Sequence, residues 1–183
     1  TVRFRLATYS FYLSIGIALG LLTIPAHAEK ADKDKPIALS SDKAQFDDVK
    51  QIYYLERNVL LIKGSLIIKG EKAEVKIDPE GYQFVTIFAK PGELASLRQK
   101  RDTGFNDFIE GFAELIEYDG KTDIAILQKQ ARMNQISGPR VTDQLHGDKI
   151  HYDGNTEKYN VVSKASVKST LSPRRKELTG PSK

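Results

Sequence analysis

Of the three histidines in this sequence, His146 and His151 lie outside the N-terminal apolar segment and are the side chains best suited to acid–base or metal chemistry. On an uninterrupted strand their odd spacing points them to opposite faces, which predicts that they do not share a metal ion. The sequence contains no cysteine, which excludes thiolate metal sites and thiol catalysis. It also lacks a nucleophile elbow, a phosphate-binding loop and a zinc-protease motif. We therefore expect binding or assembly, with no catalytic residue, metal site or cofactor.

Four aspartates close a repeated pattern of an apolar residue, a spacer and a second apolar or aromatic residue. They are Asp47, Asp78, Asp119 and Asp153. Alternation followed by Asp is typical of a strand that runs into a hairpin turn. Because no motif marks an apolar pocket that would raise a carboxyl pKa, we interpret these side chains as turn hydrogen-bond acceptors and disfavour a paired-carboxylate glycosidase.

The elements that hold these turns alternate between apolar and polar residues with period two. Such short segments, separated by turns such as Asp119-Gly120 and Asp153-Gly154, predict an all-β domain of antiparallel strands. The alternating pairs begin at Ile37/Leu39 and include Val59/Leu61, Leu66/Ile68, Val85/Ile87, Ile124/Ile126 and Tyr159/Val161. Residues 92–101 are the exception, because their intrinsic propensities favour a short helix.

The chain divides into four regions. Residues 1–28 carry two arginines, an apolar run and Ala26-His27-Ala28, which predicts a secretory signal peptide; the alternative is an uncleaved membrane anchor. Residues 29–35 are a charged linker, residues 36–171 form the β domain, and residues 172–183 are a basic, disordered tail. The region between signal and tail carries 22 basic and 23 acidic residues, a balance that disfavours nucleic acid as a partner.

The inward positions of the predicted strands are mostly Ile, Leu and Val. One interpretation is an ordinary core; the other is a cleft with an apolar floor. Four basic residues fall at or near strand ends, namely Lys63, Lys69, Lys72 and Arg98. They would suit a cleft rim that meets a phosphorylated lipid, or they are solvated charges that protect strand edges.

Five stretches of the sequence carry a resemblance in their order and spacing. They are residues 35–44, 58–68, 95–99, 111–113 and 147–153. Together they resemble the OstA-like family of LptA-type periplasmic lipopolysaccharide export proteins, in register from about residue 35 to 171. The sequence departs from the family before Asn58-Val59, where Arg57 stands at a position that is often Gly.

The resemblance implies a twisted, partly open β-jellyroll with a V-shaped section of two sheets. It also implies turn and strand, rather than helix, at residues 92–101, with Ala95 and Leu97 inward and Arg98 outward, and we follow it there. Ile37, Leu39 and Leu97 fall at family positions that contact lipid in the cleft. From alternation alone we add Val59, Leu61, Leu66, Ile68 and Val75 as groove-lining residues.

The function implied is a periplasmic bridge that carries lipopolysaccharide from the inner to the outer membrane. Its lipid A moiety would lie in the apolar groove. The implied partners are further copies of the chain in head-to-tail order, LptC, and the N-terminal domain of LptD. Two alternatives stay open: a membrane-anchored LptC-like component, and a stand-alone periplasmic carrier of a small apolar ligand.

Overall fold

The computed structural model describes residues 35–173, and within them the chain forms twelve strands and no helix. The predicted signal peptide, and nearly all of the predicted linker and tail, lie outside the described residues. All strand pairs are antiparallel, so the all-β jellyroll prediction is confirmed. The strands are β1 (Ile37–Ser40), β2 (Lys43–Asp47), β3 (Ile52–Lys63), β4 (Leu66–Ile77), β5 (Gln83–Phe88), β6 (Ala95–Lys100), β7 (Asp107–Ala113), β8 (Leu115–Asp119), β9 (Ile124–Ser137), β10 (Arg140–Asp153), β11 (Lys158–Val162) and β12 (Lys168–Leu171).

Four long strands, β3, β4, β9 and β10, each belong to two sheets. Their outer segments next to Ile52, Ile77, Ile124 and Asp153 pair with β2, β5, β8 and β11 to form a first sheet. Their other segments pair with β1, β6, β7 and β12 to form a second sheet. The side where the long strands cross between sheets is called the hinge side here, and the opposite side, where most hairpin turns lie, is called the mouth.

Two bulges let the long strands make this crossing. In β3 the register with β4 shifts between Glu56 and Val59, and Arg57 and Asn58 take positive φ angles of 62° and 51°. In β9, Lys129 and Gln130 also take positive φ angles, of 63° and 52°. A pair of left-handed residues bends a strand sharply. Arg57 therefore adopts the conformation for which the family often uses Gly.

The two halves of the chain repeat one another. β7–β12 pair in the same pattern as β1–β6: the first two strands of each half flank its first long strand, and the last two flank its second. The halves join where β5 pairs with β8 and β6 pairs with β7. The twin bulges occupy equivalent places in β3 and β9, so the sheet pair is a tandem repeat of one six-strand unit.

Residue size increases from the hinge side towards the mouth. Next to the crossing, small residues pair across the strands: Val59 with Gly70, Ala95 with Ala113, and Ala131 with Gly147. A Cβ placed on Gly70 would lie 2.3 Å from Cγ2 of Ile87 in the first sheet, so the two sheets approach closely there. Small residues permit that approach.

The helix prediction that local propensity gives for residues 92–101 is wrong. Residues 95–100 form β6, with Ala95 and Leu97 buried and Arg98 exposed, as the family resemblance implies. Pairing with β4 and β7 supplies backbone hydrogen bonds and burial that outweigh a helix preference of tenths of a kcal/mol per residue. Within residues 35–173, no helix is long and apolar enough to cross a membrane.

All four patterned aspartates lie in the mouth turns of the first sheet. Each side chain accepts backbone N–H bonds within its turn: Lys50 N to Asp47 at 2.9 Å, Tyr82 N to Asp78 at 2.9 Å, Lys121 N to Asp119 at 2.8 Å, and Asn155 N to Asp153 at 2.9 Å. The prediction that they act as turn acceptors is confirmed.

Candidate functional site

The eight residues predicted to line a groove all face the space between the sheets. Six are between 0% and 2% exposed: Val59, Leu61, Leu66, Ile68, Val75 and Leu97. Ile37 and Leu39, on the end strand β1, are half-buried and pack against this core. The structure thus brings the predicted residues together, and in this state the two sheets cover them.

Four of the eight belong to one transverse line of inward residues, called the middle rung here. Strand register aligns Leu39 with Leu61, Leu61 with Ile68, and Ile68 with Leu97. The line then passes through Gly111, Met133 and Leu145 to Ser169 on β12. It crosses the whole second sheet, from one end strand to the other, without a charged side chain.

The first sheet presents a more aromatic surface to the same interior. Tyr53, Val75, Val85, Tyr118, Ala125, Tyr152 and Tyr159 are aligned by register across it. Tyr152 and Tyr159 stack with ring centroids 5.1 Å apart. Burial raises the pKa of both phenols, so these hydroxyls stay neutral at any physiological pH.

Closer to the mouth, the second sheet has a different line of inward residues, called the mouth rung here. Register aligns Lys63 with Leu66, then Gln99 with Ile109, Ile109 with Gln135, and Gln135 with Asp143. Lys63 is 1% exposed and Gln99 is 9% exposed. Polar residues therefore alternate with aliphatic ones such as Leu66 and Ile109 along this rung, one step outward from the middle rung.

Two contacts join the sheets across the mouth. Lys63 Nζ donates to the Gly120 carbonyl at 3.5 Å and lies 5.8 Å from the Tyr118 ring centroid. Arg101 Nη2 donates to Glu157 Oε2 at 2.7 Å, and the Asp102 N–H donates to Glu157 Oε1 at 3.2 Å. Lys63 and Arg101 belong to the second sheet, whereas Gly120 and Glu157 lie in turns of the first. These contacts close the interior.

The surroundings of Arg101 are polar. Burial lowers its pKa, but the hydrogen bond to Glu157 and nearby negative groups outweigh this and raise it overall, so Arg101 stays charged. Beside it lies a recess of about 400 Å³, whose lining includes Thr103, Asp107, Gln135 and Arg140. Hydrogen bonds from Ser137 and Thr103 lower the pKa of Asp107.

The predicted basic rim is only partly correct. Lys69, Lys72 and Arg98 are exposed on the outer surface, and Arg98 is paired with Glu110. Lys63 is instead buried inside the mouth. Its position two residues after Leu61 on an alternating strand is the signal that identifies it as inward-facing. The sequence interpretation missed Gln99 and Arg101 altogether.

The prediction that the two histidines point to opposite faces is wrong. The register of β10 shifts between Gly147 and Lys149, which reverses the alternation. Leu145 packs against the core, so its neighbour His146 points away from the core. His151 lies between the buried Ile150 and Tyr152, so it also points away. Both histidines therefore face outward. Within residues 35–173 there is no group of three or more His, Cys, Asp or Glu that could hold a metal ion.

This arrangement is suited to holding an apolar chain rather than to catalysis. The interior offers aliphatic and aromatic side chains from both sheets, and its polar groups are confined to the mouth. An amphiphilic molecule would place its chains against the middle rung and its polar head at the mouth rung.

Comparison with protein families gives one match, over residues 38–158, to the LptA/(LptD N-terminal domain) LPS transport protein family. The chain is 27% identical over 162 residues to the lipopolysaccharide export system protein LptA of Escherichia coli K12, covering 88% of this chain and 83% of that protein. It is 24% identical over 163 residues to LptH of Pseudomonas aeruginosa, covering 88% and 87%.

A solved structure has the same fold. The crystal structure of LptH, described as the LptA-homologous periplasmic component of the lipopolysaccharide transport device of Pseudomonas aeruginosa, matches with a TM-score of 0.70 and 22% identity. The match covers 78% of this chain and 99% of that one.

Proposed function

Because the chain belongs to the LptA and LptD N-terminal domain family of LPS transport proteins, we propose that it carries lipopolysaccharide through the periplasm from the inner to the outer membrane. The acyl chains of lipid A lie between the two sheets, against Ile37, Leu39, Val59, Leu61, Leu66, Ile68, Val75 and Leu97. The protein acts as a binding bridge and catalyses no reaction.

The observation that carries this proposal is the middle rung. The line crosses the second sheet without a charged side chain and is apolar from Leu39 on β1 to Leu145 on β10, so an acyl chain meets uncharged surroundings along it. Burial of each methylene contributes roughly 0.8 kcal/mol, and a shift along the line exchanges one such contact for another. The lipid is thus retained without being fixed in one place.

Transfer over a longer path needs this interior to continue from one molecule to the next. In the described residues, β1 and β2 pair only with β3, and β11 and β12 pair only with β10, so each end of both sheets has a free edge. A free edge is a template for a strand of another chain. Head-to-tail pairing of these ends would extend both sheets and the space between them.

The repeat within the chain supports a specific register for that pairing. At the internal junction, Thr86 pairs with Glu117 and Leu97 pairs with Gly111. The equivalent residues at the chain ends are Asn160 and Gln45 in the first sheet, and Ser169 and Leu39 in the second. Pairing Asn160 of one copy with Gln45 of the next would reproduce the internal junction between copies.

The proposed partners are proteins whose strands could pair with these free edges. Further copies of this chain, LptC at the inner membrane and the N-terminal domain of LptD at the outer membrane are the proteins that we propose to pair with it. The contact is heterologous and does not close on itself, so it builds a filament.

The test is photo-crosslinking in living cells, with a photoreactive residue at Leu39, at Leu97 or at Ala38. Leu39 and Leu97 face the interior, and Ala38 is an exposed control on the same strand as Leu39. We expect lipopolysaccharide adducts on immunoblots at Leu39 and Leu97 and none at Ala38. Folded protein without adducts at Leu39 and Leu97 would reject the carrier function and leave both residues as ordinary core.

A further inference from the structure

Lys63 and Arg101 are the cationic side chains whose positions an ordinary core does not explain. A charged group between two sheets loses hydration, and that loss is offset only by well-placed oxygen partners. Both residues lie at the mouth end of the second sheet. Lys63 ends β3 and Arg101 follows β6, two strands away, a lateral separation of about 10 Å at normal strand spacing.

The hydrogen bonds of Arg101 leave part of its guanidinium available for another oxygen. Nη2 binds Glu157 and Nη1 donates to Gln135 Oε1 at 3.1 Å. Nε is buried and has no hydrogen-bond partner among the described residues. A guanidinium that can offer further donors in one plane is well suited to a phosphate.

Two of the oxygens that these cations contact come from the opposite sheet. The Gly120 carbonyl and the Glu157 carboxylate belong to mouth turns of the first sheet, which must move away from the second sheet whenever a lipid separates the two. Once the sheets part, Lys63 and Arg101 lose these two acceptors, and phosphate oxygens can replace them.

We propose that the mouth rung of the second sheet is a subsite for a phosphorylated lipid headgroup, in which Lys63 and Arg101 bind phosphate oxygens. Gln99 and Gln135 lie between and beside them and bind sugar hydroxyls. In the lipid-free protein the Gly120 carbonyl and the Glu157 carboxylate occupy the places of the ligand oxygens. This subsite rests on the proposed lipid-carrier function, which it deepens.

The position of the subsite, between the apolar middle rung and the solvent, suits a ligand that has acyl chains and a polar head. The middle rung, one step deeper, is apolar, so an amphiphile whose chains lie there has its head at Lys63, Gln99 and Gln135. Asp143 is aligned with Leu171 at the far end of the mouth rung, away from Lys63. Its carboxylate therefore favours phosphates at the Lys63 end of the rung.

The experiment compares the affinity of the full chain for bisphosphorylated lipid A and for the same lipid with its phosphates removed, by displacement of a fluorescent fatty acid. We expect Lys63→Met and Arg101→Gln to lose about tenfold in affinity for the phosphorylated lipid, or 1.4 kcal/mol. Their affinity for the dephosphorylated lipid should stay the same. The control is Arg98→Gln, an exposed arginine on β6 that should change neither affinity.

Glu157→Gln separates this proposal from a purely structural ion pair. Here Glu157 competes with phosphate for Arg101, so its neutralisation should raise affinity for phosphorylated lipid. If the pair only stabilised the fold, Glu157→Gln and Arg101→Gln would lower affinity together, which would overturn the subsite.

Two further outcomes distinguish failure of the subsite from failure of the carrier function. Equal binding of both lipids by the unmodified chain would reject the subsite and leave the carrier function standing. Failure of the unmodified chain to bind either lipid would reject the carrier function itself.

Discussion

Arg101 and Glu157 join the two sheets at the side where they would otherwise part. The guanidinium lies 2.7 Å from the carboxylate, and the two side chains are 16% and 21% exposed. Partial burial shields the pair from water more than a surface ion pair, so it holds the mouth closed more firmly. The lining residues are covered in this state, and a lipid that entered through the mouth would have to separate this pair.

A tether across the mouth should therefore prevent loading. The chain has no cysteine, so the variant Asp102→Cys with Glu157→Cys can be joined specifically by a short bis-maleimide. We expect the tethered protein to stop binding fluorescent lipopolysaccharide, whereas the same variant without the tether still binds it. Anisotropy reports the binding.

The matched control places the same tether within the first sheet. Lys43 and Glu56 are neighbours on β2 and β3 and form an exposed ion pair. A tether between Lys43→Cys and Glu56→Cys should leave lipid binding intact. Equal binding by the tethered mouth variant would mean that lipid does not enter between the sheet ends.

The middle rung should also dominate stability in the absence of lipid. Leu97 is 1% exposed, so Leu97→Ala removes buried methyl groups and leaves a cavity, at a cost of about 2–5 kcal/mol in the free energy of unfolding. Ile62 is 38% exposed on the outer face. Ile62→Ala should cost less than about 1 kcal/mol, within the range of surface substitutions. Urea denaturation measures both, and similar losses would contradict the assignment of faces.

Gly70 should not tolerate a side chain. Its Cβ would lie 2.3 Å from Ile87 Cγ2 and 3.0 Å from the Phe88 carbonyl oxygen, so Gly70→Ala forces the sheets apart at the hinge side. We expect a loss of about 1–3 kcal/mol in the free energy of unfolding, as for other overpacked cores. Ile87→Ala removes the nearer of the two atoms. The double variant should be more stable than the sum of the two single losses predicts, and strict additivity would contradict a direct clash.

Copies of the chain should crosslink in the register of the internal junction. Asn160 and Gln45 are both exposed, and we expect Asn160→Cys with Gln45→Cys to yield chains linked by a short thiol crosslinker, visible as a ladder on denaturing gels. The pair Asn160→Cys with Lys43→Cys lies on the same face but out of register and should yield far less. Equal yields from both pairs would indicate random collision rather than ordered pairing.

Acid should weaken the fold through two of its turn carboxylates. Hydrogen bonds from Ser137 and Thr103 lower the pKa of Asp107, and hydrogen bonds from Thr156 chiefly lower that of Asp153, each from an ordinary value of 3.8. Because a lowered pKa means that the folded state favours the ionised form, this stability is present above that value. It is lost as the pH falls through the lowered pKa.

Asp107→Asn with Asp153→Asn should therefore lose less unfolding free energy than the unmodified chain when the pH is lowered from 6 to 3, measured by urea denaturation at each pH. An unchanged loss would show that these carboxylates do not contribute to the acid sensitivity.

Period-two alternation was enough to predict the strands and most of the interior. It identified Leu61 and Ile68 as inward because each lies two residues after another inward apolar residue, Val59 or Leu66. The same rule also places Lys63 inward, but its charge suggested the solvent-exposed rim. Alternation was the better guide there, because strand geometry directs a side chain regardless of its polarity.

Other features depend on distant residues and are not visible locally. β6 is a strand because β4 and β7 flank it, although its own residues favour a helix. The histidines share a face because of one register shift near Gly147, which no local pattern marks. Arg101 and Glu157 meet only after the whole sheet pair has folded, so their contact could not be predicted from sequence spacing.

The tandem repeat of β1–β6 and β7–β12 bears on the origin and dimensions of such proteins. A gene encoding one six-strand unit, duplicated and fused end to end, would yield this architecture directly, with the middle junction as a former contact between separate molecules. Under that history the span of an assembly is a whole number of units, and each further copy of this chain would add two. Fusions with three or four units should then remain continuous.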